Sequence, residues 1–204
     1  QVSVYGFYNE YTDPNAPLVL AQIEAVSGEW LEWDTLEFAG AVVLGSSAFD
    51  AGTRSYLFSG IEYPIATGEM AFWEYDVIDH EIMSSPNFNM TINAIQHDMN
   101  QDRLLGIATV ATDSTYVDFG GEWGYWEYEW GSQLIELFPE QGMTQPLANI
   151  ENISGVVLGG TAYDSDNAVY ALIGVDNNYN QKFIQLDGTT GSVISSVNLQ
   201  LPAN

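Results

Sequence analysis

Carboxylates are the commonest reactive groups in this sequence: 28 Asp and Glu stand against Arg54, Arg103, Lys182 and two histidines, with no cysteine. Without a thiol there is no thiolate nucleophile, thiolate metal site or disulfide framework. A nucleophilic triad or a histidine-based metal site would need His80, in VIDHEIM, or His97, in IQHDMN. Both sit beside acids, and both fall where turns are expected, so surface or turn roles are the reading for them. H-E-x-x-H, G-x-S-x-G and a phosphate-cradling glycine loop are absent from the sequence. In so acidic a chain some pair of carboxylates reaches glycosidase spacing by chance, so acid pairing assigns no catalytic residue. The hard oxygens of Asp164-Ser165-Asp166-Asn167 and Asp176-Asn177-Asn178 suit calcium, with Asp164, Asp166 and Asp176 as ligands. The alternative for both clusters is an Asx turn, in which the carboxylate bonds its own backbone.

Residues 118–131, DFGGEWGYWEYEWG, concentrate aromatic rings, acids and glycines and carry no positive charge. Tyr116, Phe119 and Trp123 are expected on a glycine-jointed loop, where they suit sugar stacking or protein docking as well as simple capping of the fold. Tyr125 to Trp130 alternate, which puts Trp126, Tyr128 and Trp130 on one side of a strand. Phe72-Trp73-Glu74-Tyr75 and Trp30-Leu31-Glu32-Trp33 repeat that pattern, and the recurrence favours packing for this strand.

A repeat positions these residues. Segments 41–60, 91–110 and 156–175 each run an apolar strand into an aspartate (Asp50, Asp98, Asp164), a short polar turn and a second strand. Hairpins are expected behind them at 69–85, 124–138 and 182–199, and Leu18 to Trp33 has the same form. Each unit is therefore an up-and-down sheet of strands a, b, c and d about 50 residues long, too small to bury both faces alone. Asp98 and Asp164 stand 66 residues apart against 48 for Asp50 and Asp98, and part of the surplus falls in an insertion at 111–124.

Such units, stacked face to face, resemble the β-propeller superfamily, and FIQLDGTTGSVISSV resembles blades of the quinoprotein and YVTN-type repeats. The resemblance covers the whole chain and implies an all-β, four-bladed propeller of four-stranded antiparallel blades in a single domain, with blades near 1–38, 39–86, 87–145 and 146–204. The cofactor set and metal ligands of quinoprotein enzymes have no counterpart located here. Ser3-Val4-Tyr5-Gly6-Phe7-Tyr8 matches strand b, so the first blade is expected to lack its inner strand and to offer these residues as a pairing edge. A three-stranded blade, a longer parent chain or a strand from another chain would each account for that.

A formal charge of −25 disfavours nucleic acids and anionic membranes as partners and makes screening salt stabilising. No apolar run approaches the roughly 18 residues that span a bilayer. The start at Gln1 without Met, and sequons at Asn89 and Asn152, fit a soluble, secreted and glycosylated chain. The expected function is a non-catalytic extracellular structural or adhesive module that self-associates or docks a protein, in part through blade 1. A carbohydrate-binding propeller is the second expectation and a polysaccharide-active enzyme the third.

Overall fold

The computed structural model describes residues 3–8, 16–63, 70–88, 90–118 and 123–199. Phe119 and the sequon residue Asn89 lie outside them. The chain divides into two compact units, Gln1–Asn87 and Phe88–Asn204.

In the first unit, β1 (Ser3–Tyr8), β2 (Leu18–Glu24) and β3 (Trp30–Leu36) form a three-stranded sheet in that order. Beside it, β4 (Ala39–Asp50), β5 (Ser55–Glu62), β6 (Met70–Asp76) and β7 (Glu81–Ser84) form a four-stranded sheet. Every neighbouring pair is antiparallel. The inward faces of the two sheets share one core of Leu18, Leu20, Leu36, Ala39, Phe58, Trp73, Tyr75 and Val77. Phe58 is its hub, with Phe7 and Trp73 ring centroids 4.6 and 5.2 Å away. Burying such a ring contributes about 2–3 kcal/mol, which a lone sheet with one wet face cannot gain.

The second unit repeats the plan with β8 (Ile92–Asp98), β9 (Arg103–Asp118), β10 (Gly124–Phe138) and β11 (Met143–Ile150) in one sheet. Its other sheet holds β12 (Gly155–Asp164), β13 (Val169–Val175), β14 (Gln181–Asp187) and β15 (Val193–Asn198). Its core joins Ala94, Leu105, Ile107, Leu134 and Ile150 to Ile153, Tyr170, Leu172, Ile184 and Leu186.

The turn aspartates work as their chemistry requires. Asp50, Asp98 and Asp164 each accept hydrogen bonds through Oδ1 from the backbone N–H groups two and three residues on. The next residue in each turn, Arg54, Asp102 or Ala168, has φ of 62°, 49° or 51°. Asp76 and Asp187 build the same turn between strands c and d, where His80 and Gly191 take the left-handed position.

Two expectations for the third sheet are overturned. Residues 124–138 are not a c–d hairpin but one strand, β10, and strand d is β11, reached through a 3-10 turn at Pro139–Gln141 and Gly142 at φ 61°. That fourth strand ends at Ile150, past the expected blade edge at 145. Thr144-Gln145-Pro146-Leu147 has no strand alternation, and Pro146 is accommodated because β11 is an edge strand, at a register shift opposite Leu134 and Ile135. The first part of the insertion is not a loop either: Ala111 to Asp118 extends β9 and pairs with the start of β10.

Candidate functional site

Strands β9 and β10 outrun their sheet. From Arg103 to Ala108 strand β9 is flanked by β8, and from Ser132 to Phe138 strand β10 is flanked by β11. Beyond those spans Ala111–Asp118 and Gly124–Trp130 pair only with each other among the described residues, as a two-stranded ribbon. The ribbon leaves the sheet at an irregularity between Glu129 and Trp130, where the Thr112 hydroxyl donates to the Glu129 carbonyl at 3.2 Å. A Cβ at Gly131 would lie 2.6 Å from Thr112 Cγ2, so a larger residue there would displace the Thr112 side chain.

Alternation gives the ribbon two unlike faces. Tyr116, Trp126, Tyr128 and Trp130 stand on one, with Tyr116 directly across from Trp126 in the register and their centroids 5.3 Å apart. Tyr128 and Trp130 follow at 6.0 Å. Asp113, Glu127 and Glu129 stand on the other, with Glu129 across from Asp113 and Glu127 across from Thr115. The aromatic side is wet: Tyr116 is 50%, Trp126 55%, Tyr128 49% and Trp130 55% exposed, and Trp123 before the strand reaches 80%. Half-exposed rings of this size offer on the order of 400 Å² of apolar surface, comparable to the largest patch of an ordinary monomer.

The packing expected for Trp126, Tyr128 and Trp130 from their likeness to Phe72-Trp73-Glu74-Tyr75 is therefore corrected. Phe72, Trp73 and Tyr75 are buried. Phe58 pairs with Trp73 and Gly106 pairs with Ile135, and Phe58 and Gly106 stand at the same distance from their turn aspartates. The counterparts of the buried blade-2 aromatics are thus Leu134 to Leu137, and the aromatic run lies ahead of them, outside the core. Of the expected binding residues, Tyr116 is in the ribbon rather than on a loop, Trp123 is beside it, and Phe119 lies outside the described residues. Trp126, Tyr128 and Trp130 complete the surface; a count of how far β9 outruns its partner β8 is the signal that would have found them.

The other expected residues are dispersed. Among the described residues β1 pairs only with β2 and no strand lies along the other edge of Ser3–Tyr8, and Gly6, Phe7, Tyr8, Ala21, Ile23 and Trp30 line a cavity of about 330 Å³ on that sheet. Asn152 is exposed in the turn after β11, at φ 59°. Asp164 and Asp176 lie at opposite ends of β13, so no single site unites them. Asp164 Oδ2 takes the Asn167 amide at 2.8 Å, and Lys182 Nζ sits 3.3 Å from Asp176 Oδ2. The Asn180 backbone N–H, above all, holds the Asp176 carboxyl down to about 2.

His80 has partners that its sequence neighbourhood does not reveal. Its Nδ1 is 3.0 Å from Asp34 Oδ2, and its ring stacks on Trp33 at 6.0 Å. Tyr75 donates its hydroxyl to the same Asp34 oxygen, and Trp33 Nε1 donates to the Val77 carbonyl at 2.6 Å. Asp34, Thr35, Glu37, Phe38, Tyr75, His80 and Ile82 line a cavity of about 550 Å³. The contacts of Asp34 with Tyr75 and His80 tie β3 to β6 and the turn after it. His97 is on β8, with Nε2 3.4 Å from Asp102.

Neither a protein-family model nor a curated protein sequence matches the chain. Among solved structures, the crystal structure of TolB from Acinetobacter baumannii matches over 94% of this chain and 39% of its own, at 13% identity and a TM-score of 0.58. A structure from a study of two prolyl endopeptidases matches over 98% and 36%, at 10% identity and a TM-score of 0.42, too low to carry an argument. The chain thus spans about two fifths of the length of these solved chains. With the four antiparallel sheets described above, the likeness to TolB gives this chain the β-propeller fold, with a three-stranded first blade and three four-stranded ones.

Proposed function

We propose that this propeller is a non-catalytic extracellular module, structural or adhesive, that docks a partner through the aromatic face of the β9–β10 ribbon. The observation that carries the reading is that Tyr116, Trp126, Tyr128 and Trp130 stand side by side on one strand face while remaining about half exposed. Aromatic side chains dominate docking surfaces because they bring large area at low conformational cost. A strand face contributing nothing to its own core, yet holding three consecutive large rings, has its use outside the fold.

The test uses the register itself. Val110 pairs with Gly131, so replacing residues 111–130 by Asn-Gly closes a two-residue hairpin at that rung. The shortened protein should fold with its core intact and lose attachment to an extracellular matrix fraction that retains the full chain. Equal retention of both proteins would refute the reading.

A second reading has its own support, since a row of half-exposed rings also suits stacking on the apolar face of a sugar. Trp126→Ala should then abolish hits on a glycan array, and an array without hits would remove it.

A further inference from the structure

We infer that the occupant of the aromatic face is a basic polypeptide segment, one whose arginine or lysine side chains lie across Trp126, Tyr128 and Trp130. The inference rests on the docking role assigned to this ribbon above and adds the chemistry of the partner. Charge selects it. No Lys or Arg occurs anywhere between Arg103 and Lys182, while Asp113, Asp118, Glu127 and Glu129 all lie on the ribbon. Asp113, Glu127 and Glu129 back the sheet that carries the rings, and a two-stranded ribbon is thin enough that a ligand on one face lies within about one Debye length of charges on the other at physiological salt. A cation over an indole or phenol ring is attracted by the ring's own negative face, and the carboxylates behind add to that attraction.

The same field argues against the other occupants. A second copy of this chain brings another formal −25 to the contact, and polyanions meet the same repulsion. A neutral glycan would use the rings but carries no charge for the acids to attract. Among the described residues no third strand pairs with the ribbon along Ala111–Val117 or Trp126–Trp130, so an extended peptide can add backbone to backbone there while its side chains reach the rings.

The test titrates the full chain with a twelve-residue peptide alternating arginine and threonine. Its controls are the same peptide with glutamate for arginine, and a neutral β-glucan oligosaccharide. The arginine peptide should bind, weaken steeply as salt is raised, and lose about tenfold or more in affinity with Trp126→Ala/Trp130→Ala. Glu127→Gln/Glu129→Gln should flatten the salt dependence while the rings still bind. All four positions are exposed, and circular dichroism with a thermal melt checks that each variant is folded. Tryptophan-dependent binding of the oligosaccharide without binding of the arginine peptide would overturn the basic-partner assignment and leave the ribbon as the docking surface. Arginine-peptide binding that survives both tryptophan substitutions would overturn the ribbon itself, and failure of the arginine peptide to bind at low salt would overturn the inference.

Discussion

Asp98→Ala should be the most damaging turn substitution in the second unit. Asp98 is fully buried and its two oxygens have four donors. Oδ1 takes the N–H groups of Asn100 and Gln101 at 3.2 and 3.3 Å, and Oδ2 takes Arg103 Nε at 3.0 Å and the Tyr163 hydroxyl at 2.8 Å. Tyr163 belongs to β12, so this carboxylate joins the two sheets of the unit as well as shaping a turn. Burial by itself would push the carboxyl up; the bonds from Tyr163, Arg103 and the turn outweigh it and hold it below the usual carboxylate range. Alanine would leave the Arg103 side chain, only 11% exposed, without its counter-charge. Removing one partner of a buried ion pair costs about 3–5 kcal/mol, the larger part of it the stranded charge. For a chain of this size that is a fall in Tm of roughly 10 °C. Asp164→Ala removes the same turn bonds at an exposed site without a stranded cation, and should cost several-fold less. Adding Arg103→Met to Asp98→Ala should recover much of the loss. Paired urea melts give both comparisons, and equal losses at Asp98 and Asp164, or no recovery in the double variant, would refute the reasoning.

Acid should destabilise the protein in a defined window. Asp76, Asp98, Asp164, Asp176 and Asp187 are all held below the usual carboxylate range, Asp176 to about 2. The unfolded chain therefore binds more protons than the folded one between about pH 4 and 2, and urea midpoints should fall steeply across that interval. At pH 7 the self-repulsion of a formal −25 predicts the opposite response to salt: Tm should rise from 10 to 300 mM sodium chloride, roughly levelling once the Debye length is short, and a flat profile would contradict it. Trp130→Ala, on the wet face, should change unfolding free energy by no more than about 0.5 kcal/mol, whereas Trp73→Ala in the first core should lose about 3–5 kcal/mol.

The turn aspartates made most of the fold legible. Asp50, Asp98 and Asp164 announce the a–b corners because a carboxylate that can cap its own backbone has few substitutes at such a corner. Asp187-Gly188-Thr189-Thr190-Gly191 announces a c–d corner for the same reason. Strand β11 escaped because Pro146 and its polar neighbours erase the alternation that marks an edge strand. The ribbon was harder. Tyr125 to Trp130 alternate as a buried strand does, and period two reports only that rings share a side, not whether another sheet covers them. What decides burial is how far a strand outruns its neighbours, and that is set by where β8 and β11 end. Asp34, Tyr75 and His80 were out of reach for a different reason: β3, β6 and the turn after β6 bring them together, and no local spacing records it.

Amide hydrogen exchange with and without the arginine peptide bears most directly on the assignment of the ribbon. Protection is expected at Ala111–Asp118 and Gly124–Trp130, with the cores of both units unchanged. Protection confined to other strands, or none anywhere at saturating peptide, would contradict it.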